Sequence, residues 1–278
     1  MLCEVSNPVS AHLRKLKVQG KKALCPFMIA GDPTPQVSFD LVDVAVGAGA
    51  DVLEFCIPFE RSITDGPTIK AGYHRALSSG VDTEKALQLM EQAAQKLPVV
   101  CLADYRDTVR PYGLEEFLAR AKGRGAGAIL IHGLPPLLRP ELITLVARLE
   151  MGLVNTVYPE TPAPRLKDAS ETASAFLYLV SSYGRSGGAF EPCKVAALLN
   201  KARGARSGPI AIGFGLKSAA DHAAAFRIGA DMTIVGSALT KLTEDNLGHP
   251  DAILKAWDRA LADLAKAKTK IFEEEGCR

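Results

Sequence analysis

The chain carries almost no surplus of charge. Its 33 Lys and Arg face 31 Asp and Glu, a formal net of +2, so no global field draws it to nucleic acid or to an anionic membrane. No apolar run approaches the roughly 20 residues that cross a bilayer, which excludes membrane spanning. The opening stretch MLCEVSNPVSAHLRKLK lacks the apolar centre of a signal peptide. The six cysteines (Cys3, Cys25, Cys56, Cys101, Cys193 and Cys277) form no C-x-x-C pair and no Cys/His cluster with zinc spacing. Four of the six sit in or beside apolar runs, where a free thiol behaves as a small buried hydrophobe. A reducing compartment, the cytoplasm, is the expectation. Linkers and low-complexity segments are also missing. Hydrophobic residues make up 47% and charged residues 23%, values of an ordinary globular chain that exclude disorder of the bulk.

At about 150 residues per domain, 278 residues point toward two domains. An α/β barrel of about 250 residues is nevertheless one domain. The pattern decides between these. Short, continuous apolar runs recur at 24–29, 51–57, 99–103, 128–131, 153–157, 176–181, 209–212 and 232–235. Continuity rather than alternation is expected of strands buried on both faces in a parallel sheet. Between the runs lie helical stripes: Phe39, Leu41, Val42 and Val46; Leu87, Met90 and Ala94; Val195, Leu198 and Leu199. Three helix-to-strand passages, AGADVLEF, GRGAGAILI and IGADMTIV, share a Gly at the turn, where a left-handed cap carries no Cβ penalty. Eight strands alternating with helices predict a (β/α)8 TIM barrel in one domain, 1–278, with its core at about 20–268. The rival open doubly-wound sheet usually carries a Gly-rich first turn; here the first turn reads AGDPTP, without G-x-G-x-x-G. A short amphipathic helix at 10–19, with Ser10 as N-cap, is expected to cover the bottom of the barrel. The Lys- and Glu-rich tail after Ala265 reads as a solvated helix end.

A barrel builds its site at the C-terminal ends of its strands. Glu54 lies inside the apolar second strand. A buried carboxylate is costly unless paired or protonated, and burial raises its pKa into the range useful for acid/base work. The structural alternative is a Glu paired with a Lys or Arg. Asp65 follows in the next loop, before Gly-Pro-Thr-Ile; alone it reads as a helix cap, and with Glu54 it makes two carboxylates converging on one mouth. Glycines punctuate three further strand ends: Gly184, Gly187 and Gly188 after the sixth, Gly213 and Gly215 at the seventh, Gly236-Ser237 at the eighth. Glycine backbone and a helix N-terminus make an anion site, and the last two loops are the habitual phosphate site of barrels. Simple turns are the plainer reading.

With these residues in place the chain resembles the α subunit of tryptophan synthase, from about residue 9 to about residue 268. The likeness rests on PFMIAGDP at 26–33, GADVLE at 49–54, PF with DGPTI within 58–69, then Gly213-Phe214-Gly215 and Gly236-Ser237-Ala238. It implies a (β/α)8 barrel that cleaves indole-3-glycerol phosphate to indole and glyceraldehyde 3-phosphate, without metal or organic cofactor. It implies that Glu54 is the acid/base and Asp65 the carboxylate that holds the indole N–H. Phe27, Tyr105, Leu130 and Tyr178 match pocket positions, and Gly187, Gly215, Gly236 and Ser237 match the phosphate cradle. A β subunit is the implied partner, although the loop that helps signal to it reads Glu60-Arg61-Ser62 in place of the family's Ser-Asp-Pro.

Other departures cluster around the ring-facing pocket. Cys56 replaces a usual Gly, Tyr105-Arg106-Asp107-Thr108 a usual Tyr-x-Asn-Pro, and His132-Gly133 a usual Ala-Asp. His132 reads as a substrate-facing group, a second acid/base or polar contact, or as a loop cap. Asp104 and Asp107 read as lining a polar pocket or as solvated loop. Three functions remain: the family's lyase; a lyase or isomerase repurposed for another phosphorylated or diphosphorylated substrate; and a non-catalytic phosphate-binding regulatory subunit. Both carboxylates speak against the last.

Overall fold

The computed structural model describes residues 7–180, 192–205, 208–213 and 215–276. Eight strands follow the apolar runs: β1 Ala23–Ile29, β2 Leu53–Cys56, β3 Val99–Asp104, β4 Ala126–His132, β5 Gly152–Val157, β6 Phe176–Val180, β7 Ile210–Gly213 and β8 Met232–Val235. Each pairs in parallel with the next, and β8 closes on β1 through Ala23↔Met232 and Cys25↔Ile234. This is a closed (β/α)8 barrel. The run at 51–57 shortens to Leu53–Cys56 because Asp51 leaves the ladder. Its carboxylate accepts the Leu24 N–H at 2.8 Å and the Lys268 ammonium at 2.5 Å.

Eleven α-helices are present among the described residues: α1 Pro8–Val18, α2 Pro35–Gly47, α3 Pro67–Ser78, α4 Thr83–Ala94, α5 Leu114–Gly123, α6 Arg139–Arg148, α7 Ala163–Thr172, α8 Pro192–Ala205, α9 Ala219–Arg227, α10 Ser237–Asp245 and α11 Pro250–Gly276. None is long and apolar enough to cross a membrane. The three shared glycines, Gly49, Gly125 and Gly229, take φ of +85°, +88° and +106°, the left-handed conformation expected at those turns.

Side-chain parity separates two cores. Leu24, Met28, Leu53, Phe55, Cys101 and Ile129 point outward into the layer beneath the helices. Cys25, Phe27, Cys56, Leu102, Leu130 and Tyr178 fill the lumen. Glu54 shares the parity of Cys56, so the twofold strand repeat alone turns it inward.

Two local readings are corrected. The N-cap of the first helix is Asn7, not Ser10: Asn7 Oδ1 accepts the Ser10 N–H at 2.9 Å. Asn7-Pro8 supplies both a cap and a pre-set first helical residue, so the helix starts earlier. It does cover the barrel bottom. Val9, Leu13 and Leu16 join the lumen core, and β5 begins with a glycine because a Cβ on Gly152 would stand 2.7 Å from Asn7 Oδ1. The stripe on α2 is also rotated. Val37, Leu41, Val42 and Ala45 are buried, while Phe39 is half-buried and Val46 lies 39% exposed. Counting from Phe39 missed the face because small Ala45 and the early Val37 complete it. The stripe Val195, Leu198 and Leu199 is buried as expected, and the tail after Ala265 continues α11.

Candidate active site

A cavity of about 600 Å³ opens at the C-terminal ends of the strands. It brings together Phe27, Glu54, Asp65, Tyr105, His132, Tyr178, Gly215, Gly236 and Ser237. Leu130 does not border it. That side chain lies in the lumen core, and the β4 wall is supplied by Ile131 and His132, closer to the strand end. Gly187 lies outside the described residues.

Glu54 is 2% exposed, and its Oε1 has no hydrogen-bond partner. No Lys or Arg pairs with it among the described residues. Burial, reinforced by the charge of Asp65, pushes the carboxyl up to about 8. At neutral pH it is a protonated acid facing the cavity. The phenol of Tyr178 stands in the same lumen layer and is pushed well above its ordinary value by burial and by Glu54. Gly213, on the neighbouring strand, makes room for it: a Cβ built there would collide with the Tyr178 hydroxyl. Gly213 therefore serves packing, and Gly215, at φ +78°, is the glycine that borders the cavity.

Asp65 is not the cap of α3. Gly66 occupies that position and makes no side-chain cap. The Asp65 carboxylate instead accepts from Ser62 Oγ at 2.6 Å and from the Tyr73 hydroxyl at 3.0 Å, both on Oδ2. The Ser62 hydroxyl in turn accepts the Asp65 N–H at 3.2 Å. Tyr73 projects from the buried face of α3, with its ring 4.6 Å from that of Phe59 and its oxygen 3.6 Å from Cys56 Sγ. Burial holds this phenol protonated, so it remains a donor to Asp65. α3 is itself anchored: Arg75 makes a two-pronged bond to the buried Asp32 after β1, at 2.7 and 2.8 Å. Sequence reading missed Ser62 and Tyr73. The three-residue spacing Ser62…Asp65 is a local turn signal; Tyr73, eight positions on, is joined to Asp65 only by the helix returning over the cavity.

The far rim comes from the loop after β7 and from the start of α10. Gly236 precedes that helix and Ser237 opens it, both on the cavity wall. The β2 and β3 loops are strapped across the mouth. The Arg61 backbone N–H and Nε donate to Asp107 at 3.3 and 3.1 Å, and its Nη2 adds a further bond. Arg61 holds the Asp107 carboxyl below its ordinary value. Asp104 accepts the Asp107 N–H at 2.8 Å and caps the single turn Tyr105–Val109. His132, opposite Asp104 in register, is half-buried on the same wall. Burial lowers its pKa against the opposing pull of Asp65 and Asp104.

Comparison with known proteins gives consistent results. The family model described as tryptophan synthase alpha chain matches residues 13–269. The tryptophan synthase alpha chain of Polynucleobacter asymbioticus is 34% identical over 86% of this chain and 91% of its own length. The crystal structure of tryptophan synthase subunit alpha from Legionella pneumophila superposes with a TM-score of 0.86 at 26% identity, over 95% of this chain and 99% of that one. A chain of the tryptophan synthase complex from Pyrococcus furiosus superposes with a TM-score of 0.80 at 27% identity, over 88% of this chain and 99% of that one.

Proposed function

The chain belongs to the tryptophan synthase alpha chain family, and from that premise we propose how its residues carry the reaction. It is a carbon–carbon lyase of the alpha type, cleaving indole-3-glycerol phosphate to indole and glyceraldehyde 3-phosphate. The observation that carries the assignment of roles is Glu54: a buried carboxyl, protonated at neutral pH, with an unpartnered oxygen on the cavity wall beside a second carboxylate.

Retro-aldol cleavage needs an electron sink. Neutral Glu54 donates its proton to indole C3, and positive charge develops on the ring nitrogen. Asp65, held by Ser62 and Tyr73, receives the indole N–H and stabilises that charge; a fixed carboxylate needs no reorganisation as the charge appears. The bond from C3 to the side chain then breaks and its electrons return to the ring. The Glu54 carboxylate takes the side-chain hydroxyl proton as the aldehyde forms, and the residue ends protonated as it began. Gly215, Gly236 and Ser237 hold the phosphate through backbone N–H groups and the first turn of α10. Phe27 and Tyr178 flank the reacting part of the substrate, and Tyr105 borders its ring.

A tryptophan synthase β subunit is the partner this membership suggests, and the Pyrococcus furiosus complex supports it. The Arg61–Asp107 strap lies on the loop expected to meet that partner. Purified protein incubated with indole-3-glycerol phosphate should release indole, and Glu54→Gln should abolish the release. Absence of indole both with and without a β subunit would overturn the reading. A rate unmoved by the β subunit would remove the partner alone.

A further inference from the structure

Bond cleavage uses the β2 wall of the cavity and phosphate binding uses β7 and β8; on the β3–β4 wall Tyr105 borders the ring, and the polar groups beside it are left without a task. In the closed strand order β3 and β4 stand diametrically across the lumen from β7 and β8. A substrate with its phosphate at Gly236 and its reacting carbon at Glu54 therefore extends its aromatic ring toward the ends of β3 and β4. Those ends carry Asp104 and His132, register partners that both border the cavity. Both are half-buried. Asp104 Oδ1 is engaged by the Asp107 N–H, while Oδ2 leans toward β4, 3.6 Å from where a Cβ on Gly133 would stand. The His132 ring makes no hydrogen bond or ion pair with any described residue.

The six-membered edge of an unsubstituted indole offers only C–H groups. Seating it there would dehydrate a carboxylate and an imidazole without replacing their hydrogen bonds, which is unfavourable. Arg106 and Arg110 border the same rim but are exposed, keep their water, and impose no such demand. A hydroxyl satisfies both half-buried groups at once, since it donates one hydrogen bond and accepts others.

We propose that the preferred substrates of this lyase are indole-3-glycerol phosphates hydroxylated on the six-membered ring, with Asp104 accepting from the hydroxyl and His132 completing its hydrogen bonding. The proposal rests on the lyase reading and names the substrate class within it.

The test compares kcat/KM of the full-length protein for unsubstituted indole-3-glycerol phosphate, the four ring-hydroxylated isomers and the matching methyl compounds. At least one hydroxylated isomer should exceed both the unsubstituted compound and its methyl partner by about tenfold or more, because a site built to bond a hydroxyl rejects analogues lacking it. In His132→Ala and Asp104→Asn that ratio should fall toward one. Each variant carries its own reference, since turnover of the unsubstituted compound reports an intact fold. Turnover of the unsubstituted compound with no preferred hydroxylated isomer overturns this inference and leaves the lyase reading standing. A preference unchanged in both variants also overturns it. Release of no indole, hydroxyindole or methylindole from any compound removes the lyase reading itself.

Discussion

Replacing Glu54 with glutamine removes the buried proton on which the proposed chemistry depends, and the same change should make the protein more stable at neutral and alkaline pH. In the folded chain this carboxyl titrates near 8; unfolded, it returns to about 4.5. Well below pH 4.5 both states are protonated and ionisation of the residue costs nothing. As pH rises from there, the unfolded chain ionises while the folded chain keeps its proton, and wild type loses about 1.4 kcal/mol per pH unit. The loss reaches about 3 kcal/mol at pH 7 and levels off at about 5 kcal/mol above pH 8. Glu54→Gln has no such proton to hold. Its buried amide adds an offset of about 1–3 kcal/mol that does not vary with pH, so the slope is the test. Denaturant unfolding of both proteins between pH 5.5 and 9 measures it. Trp257, the only tryptophan, is 3% exposed and reports the transition by fluorescence. The stability difference should grow in favour of the variant by about 1.4 kcal/mol per unit up to about pH 8 and then stay constant. In parallel, kcat/KM of wild type should fall as pH rises through about 8, where the donor loses its proton, and kcat of the variant should drop by about 10²–10⁴-fold. A difference that is flat from pH 5.5 to 8 would show that Glu54 titrates normally, and its role as a neutral acid would fall.

Asp65→Asn should cut kcat by about 10²–10³-fold, the usual cost of losing one electrostatic partner of the transition state; steady-state indole release measures it, and an unaffected rate removes Asp65 from the chemistry. Tyr73→Phe leaves Asp65 its charge but not its 3.0 Å donor. It should lower kcat more than it raises KM and cost about 1–3 kcal/mol of stability, read by the same unfolding assay; unchanged kcat would confine Tyr73 to packing. Gly213→Val drives a side chain into the Tyr178 phenol and should destabilise the barrel by about 1–3 kcal/mol through overpacking. A denaturation midpoint equal to wild type would show that Tyr178 can move aside.

Much of the architecture is readable before folding because it depends on near neighbours in the chain. Continuous apolar runs, their twofold parity and the glycines that end three helices are local features, and they place Glu54 inward on β2. The phase of α2 and the cap of α1 differ from the apolar pattern for an equally local reason: small alanines and an Asn-Pro pair contribute more than a count of large apolar residues registers. Likeness alone puts Leu130 on the cavity wall, whereas the depth at which the strand end opens is set by how the lumen fills.

Sequence alone determines a (β/α)8 barrel with two carboxylates on one strand-end unit and glycines at the opposite ends. Only the tertiary structure decides that Glu54 finds no partner among the described residues and keeps its proton, because desolvation is the sum of everything packed around it. Only the packing of α3 brings Tyr73 back onto Asp65, and only the closed barrel straps Arg61 to Asp107 and sets Asp104 and His132 across the cavity from Gly236. The Arg61–Asp107 and Asp104–His132 pairings join distant positions, and no spacing within the chain records them.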